Sequence, residues 1–87
     1  MNRSYTYKGF EIAVELETVW EASGNVWLLP PRGFIAVVHI RRLGATRPTV
    51  APIRLTADNQ RPFATEPDAV MTGYSAGQRV VDDTLVP

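Results

Sequence analysis

From Phe10 to Glu17 the chain alternates strictly, with Phe10, Ile12, Val14 and Leu16 on one side and Glu11, Ala13, Glu15 and Glu17 on the other. A period of two sends successive side chains to opposite faces of a pleated strand, so the pattern predicts a half-buried strand over about 5–17. Val19-Trp20-Glu21-Ala22, the turn chemistry of Ser23-Gly24-Asn25, and Val26-Trp27-Leu28-Leu29 ahead of two prolines predict a second strand region over about 19–29. Beyond Gly33, residues 34–42 are rich in β-branched side chains. Phe34, Ala36, Val38 and Ile40 share one face, and Ile35, Val37, His39 and Arg41 the other. Residues 50–57 predict a fourth strand, placed at an edge because Pro52 has no N–H for a ladder.

The pattern then changes period. Thr65-Glu66-Pro67-Asp68 reads as a helix start, with a threonine cap, an acid three residues on and a proline in the first turn. Ala69, Gly73, Ala76, Gly77 and Val80 follow at steps of three and four, so a helix over about 66–82 carries a face of small residues that can lie close to a sheet. Tyr74 and Val81 are expected beside that stripe. Phe63 is placed to staple against the first turn. Asp82 and Asp83 oppose the helix dipole, which predicts fraying there and a disordered tail over 84–87.

These elements predict an α+β fold: an antiparallel sheet of three or four strands with one C-terminal helix packed on one face. Eighty-seven residues are enough for a single domain over 1–87 with one core, and eight aromatic side chains with 45% apolar content can fill it without a metal or disulfide. The absence of cysteine excludes thiol nucleophiles, zinc-thiolate sites and disulfide frameworks. Together with an opening Met-Asn-Arg-Ser-Tyr that runs straight into strand-like sequence, it leads to the expectation of a cytoplasmic protein. The apolar run Phe34–Ile40 is too short to span a bilayer, so no membrane partner is expected.

Nine basic and nine acidic side chains cancel overall, but not locally. Glu11, Glu15, Glu17 and Glu21 make the first third acidic, and Glu66, Asp68, Asp82 and Asp83 do the same for the last. Arg32, Arg41, Arg42, Arg47, Arg54 and Arg61 make the middle basic. Arg41, Arg42, Arg47 and Arg54, on adjacent strands and the loop between them, are candidate nucleic-acid contacts of the kind made by β-ribbon readers. Opposite charges on neighbouring strands also stabilise a sheet, and pairing of these arginines with Glu11, Glu15 and Glu17 accounts for the segregation without a ligand.

Tyr7-Lys8-Gly9-Phe10, then Trp20-Glu21-Ala22, then Phe63-Ala64-Thr65 with Ala69, Gly73, Arg79 and Val81-Asp82, resemble small uncharacterised proteins of Burkholderia-like bacteria over most of the chain. Val80 stands where an aromatic residue is expected. The resemblance implies a fold and no activity. A three-stranded sheet with one helix is also similar to the arm-binding domains of phage-type integrases, at the level of fold alone.

Catalytic chemistry finds little to work with. His39 is the sole imidazole, and Ser4, Ser23 and Ser75 sit in no Gly-x-Ser-x-Gly elbow. One histidine with scattered carboxylates predicts no metal site, and the phosphate-cradling glycine patterns do not occur. Gly73-x-x-x-Gly77 matches a membrane helix-pairing motif, but the charges on its helix favour close packing on a sheet. The expectation is therefore a non-enzymatic, cofactor-free, monomeric interaction or accessory module. Its protein partner would dock on the outer sheet face, on a free strand edge or on the apolar patch Trp27, Leu28 and Leu29, with nucleic-acid binding as the alternative.

Overall fold

The computed structural model of the chain describes residues 2–19, 33–57 and 61–86. Four strands, β1 (Asn2–Tyr7), β2 (Phe10–Val19), β3 (Gly33–Arg42) and β4 (Ile53–Leu55), form one antiparallel sheet in the order β1-β2-β3-β4. Helix α1 (Glu66–Leu85) follows and packs across β2 and β3. The expected α+β class is the observed one. Apart from Val19, which ends β2, the strand region expected over 19–29 lies outside the described residues, as does the Trp27, Leu28 and Leu29 patch.

The single strand expected over 5–17 is instead a hairpin. Lys8 and Gly9 both have positive φ, 50° and 84°, as a two-residue type I′ turn requires, and Tyr7 pairs with Phe10 across it. The sequence does carry the signal. Apolar side chains occupy odd positions at Tyr5 and Tyr7 and even positions from Phe10 onward, and that slip in parity is what a two-residue turn produces. β4 is shorter than the expected 50–57. Pro52 directly precedes it, and it forms one edge of the sheet as expected.

One face of β2 and β3 builds the core. Ile12 lies opposite Ile40, and Val14 opposite Val38; all four, with Phe10 and Ala36, are buried. Against them α1 lays Ala69, Val70, Gly73, Gly77 and Val81. A Cβ on Gly73 would come within 2.8 Å of Val14 Cγ1, and one on Gly77 within 2.5 Å of Ile12 Cγ2, so the strand side chains occupy the space that the glycines leave. The small-residue face is as expected, except that Val81 is fully buried in the core while Ala76 and Val80 are half-buried.

Both ends of α1 are tied down. Thr65 Oγ1 accepts the Asp68 N–H at 3.3 Å, the expected cap. Phe63 is buried in one cluster with Val14, Ala36 and Ala69, and it also exchanges backbone hydrogen bonds of 2.7 and 2.9 Å with Phe34. At the C-terminal end α1 runs on past Asp82 and Asp83, through Thr84 to Leu85, beyond the expected end at 82. The physical reason is Asp82, whose carboxylate accepts from Tyr7 Oη at 3.0 and 3.2 Å and from Lys8 Nζ at 2.9 Å. A charge that would repel the helix end is neutralised by the hairpin turn beside it.

Candidate interaction surface

The face of the sheet opposite α1 carries a ladder of ion pairs. Arg41, directly across from Glu11, donates through Nε to Oε1 at 2.8 Å and through Nη1 to the Ala45 carbonyl at 3.1 Å. His39 Nε2 lies 3.7 Å from Glu15 Oε1, on the diagonal. Arg54 reaches across β3 to hold Glu17 with both terminal guanidinium nitrogens, Nη1 and Nη2, at 2.7 Å each. Between these pairs sits Val37, flanked in the register by Glu15 and Arg54 and only 5% exposed. The Arg41 guanidinium, helped by the Ser4 hydroxyl, holds the Glu11 carboxyl below its ordinary value, and Glu17 raises that of Arg54.

The four candidate phosphate contacts are thus divided. Arg41 and Arg54 lie on the open face with carboxylate partners. Arg42 falls on the other face, its guanidinium carbon 5.5 Å from the centre of the Phe10 ring, and Arg47 is exposed in the loop between β3 and β4. His39 is a half-buried strand residue of the open face. Among the described residues there is no group of three or more His, Cys, Asp or Glu side chains that could hold a metal, and no helix long and apolar enough to cross a membrane.

Two grooves flank the first turns of α1. One, of about 530 Å³, is lined by Thr56, Ala57, Phe63, Asp68, Met71 and Thr72. The other, of about 240 Å³, lies on the β1 side and is lined by Arg3, Tyr5, Glu66, Pro67, Val70 and Met71. Met71, 69% exposed, stands on the rim of both. Because α1 lies mainly over β2 and β3, it covers the β1 part of the same sheet face only partly. Arg3 is exposed there, and Tyr5 is half-buried, its ring 4.1 Å from that of Tyr74.

The two edges of the sheet differ. On the β3 side, the Ile40 carbonyl accepts from Thr49 N–H at 2.7 Å, Ile53 and Leu55 pair with Val38 and Ala36, and Phe63 pairs with Phe34. The outermost segment there is the three residues of β4, of which only Arg54 turns its backbone groups outward. On the β1 side, the two-residue turn makes Tyr7 and Phe10 a hydrogen-bonded pair. Tyr7, Tyr5 and Arg3 therefore direct their N–H and C=O groups to β2, while Asn2, Ser4 and Thr6 direct theirs away from the sheet. The edge contains no proline or bulge, two of the devices against strand addition, and one charged side chain, Arg3. The sequence did not disclose it, because reading through the Lys8-Gly9 turn merges β1 into its neighbour.

Compared with protein-family models, curated proteins and solved structures, the chain matches none of them.

Proposed function

We propose that this protein is a non-catalytic interaction module that binds a protein partner by strand addition at the β1 edge. The observation that carries the reading is the row of outward N–H and C=O groups on Asn2, Ser4 and Thr6, next to a groove of mixed polar and apolar lining rimmed by Met71. In this mode the backbone bonds supply affinity, and pockets beside the edge select alternate side chains of the partner. The groove lined by Arg3, Tyr5 and Val70 is in position for that selection. The lack of cysteine supports a cytoplasmic, reducing setting. Nucleic acid at Arg41, Arg42, Arg47 and Arg54 is the weaker alternative, because two of these arginines already bond to glutamates and a third lies on a ring of the opposite face.

The test is a photo-reactive amino acid placed at Thr6 of the full chain expressed in its source cell, with Leu85 as a control position. Adducts from position 6 that disappear when Ser4→Pro removes an outward N–H support strand addition. Adducts of equal yield from both positions, or none from position 6, overturn it.

A further inference from the structure

We infer that the partner at this edge is a second copy of the same chain, joined through antiparallel pairing of β1 with β1 about a two-fold axis at Ser4. This rests on the strand-addition reading above and names its partner. In antiparallel pairing, a residue whose backbone groups point outward must meet another of the same kind. For two copies of β1, only one register uses every outward residue: Ser4 opposite Ser4, with Asn2 opposite Thr6 in both directions. Each of these three pairs exchanges both of its backbone bonds. A two-fold interface must be self-complementary, and this register is so by construction.

The side chains agree with the backbone. On the open face, Ser4 meets Ser4, a small polar pair that can hydrogen-bond across strands and brings no charge repulsion. On the helix side, Arg3 falls opposite Tyr5 of the other copy in a pair without backbone bonds, the closer of the two spacings, where a guanidinium can lie on a tyrosine ring. Arg3 and Tyr5 both line the groove beside α1, together with Glu66, which supplies the compensating charge. The resulting sheet would have eight strands, with both helices on one face. The incompletely covered Arg3 and Tyr5 strips of the two copies would then face each other between the helices. β4 offers no equivalent, since it presents one outward residue and begins after Pro52.

The chain has no cysteine, so a single introduced thiol reports the register cleanly. Across the two-fold axis a thiol at position 4 meets its own copy, with Cα atoms about 5.5 Å apart in a hydrogen-bonded pair. A thiol at position 6 lies about four residues, roughly 13 Å, from its copy along the strands. A short bifunctional thiol reagent should therefore convert Ser4→Cys to a covalent dimer and leave Thr6→Cys unlinked. The unmodified chain should sediment at twice the single-chain mass at high concentration. Ser4→Pro should weaken that association about tenfold or more, by removing the central pair of bonds. If Ser4→Pro does not fold, the two cysteine variants decide the question alone. A single-chain mass at every concentration, or equal cross-linking at positions 4 and 6, overturns the dimer. If the mass stays that of one chain while Thr6 still traps a different protein in cells, the second copy is wrong and strand addition stands. If neither readout responds, both fall.

Discussion

β2 and β3 present two faces built from the same two strands in the same register, and the faces are held in different ways. On the helix side, Ile12, Val14, Val38 and Ile40 are fully buried, and α1 meets them with glycines so close that a single added methyl has no room. On the open side, Glu11, Glu15 and Glu17 meet Arg41, His39 and Arg54 at or near the surface, with Val37 the one buried side chain among them. The covered face is specified by shape and the open one by charge. A close-packed core tolerates almost no added volume, whereas an exposed ion pair can be exchanged for its mirror image at little cost.

Five measurements press on that contrast, starting with the largest expected effect. Gly77→Val places a Cβ 2.5 Å from Ile12 Cγ2 and adds two methyl groups beyond it, so denaturant unfolding should show a loss of about 3 kcal/mol. Combining Gly77→Ala with Ile12→Ala should cost less than the sum of the two single changes, since one makes the room that the other needs. Additive losses would show that the helix had simply moved away. Thr65→Ala removes the oxygen that caps the Asp68 N–H and should cost about 1 kcal/mol in the same assay, with the far end of α1 still protected from hydrogen exchange.

Acid should act next, through the charged contacts alone. The Lys8 ammonium, then the Tyr7 hydroxyl, hold the Asp82 carboxyl below its ordinary value, and Arg41 with Ser4 does the same for Glu11. Groups with a lowered folded-state value contribute stability that is complete above their unfolded value and is lost as pH falls through the folded one. Thermal melts should therefore decline below the ordinary carboxylate range, and Asp82→Asn should flatten that decline. The Lys8 ammonium, raised by the same Asp82 pair, predicts a matching loss at the alkaline end, as pH rises through its folded value. A decline unchanged in Asp82→Asn would remove the Tyr7-Lys8-Asp82 cluster from the account.

The smallest effect belongs to the open face. Glu11→Arg and Arg41→Glu should each lower the melting temperature slightly, and the double exchange should restore it. The difference should fade at about 1 M salt, where the screening length is near 3 Å. A double variant as unstable as the worse single one would mean that shape, rather than charge, also governs this face.

Much of this was legible before any coordinates. The alternation from Phe10 to Leu16 and from Phe34 to Ile40 identifies the buried faces of β2 and β3. Thr65-Glu66-Pro67-Asp68 marks the start of α1, and its small-residue stripe foretells the close approach realised at Gly73 and Gly77. The opposed charges of the first and middle segments foretell the pairs on the open face. The Lys8-Gly9 turn escaped, because lysine is an uncommon first residue of a type I′ turn and the alternation resumes directly after it. With the turn went the β1 edge and the part of the surface on which both functional proposals rest. The partners of Asp82 escaped for a related reason: local rules score an acid at a helix end against the dipole alone, and Tyr7 and Lys8 lie some 75 residues away in the chain.

By itself, then, the sequence determined which side chains share a face, where the helix begins and which strand cannot extend a ladder, because periodicity, capping and proline chemistry are properties of neighbours in the chain. Tertiary structure alone decided that Val81 is core, that Arg41 and Arg54 hold glutamates while Arg42 lies on a ring, and that β1 is an edge strand of the sheet formed by the described residues. Each of those depends on which strands become neighbours and where the helix comes to rest, and a single chain reveals neither until it is folded.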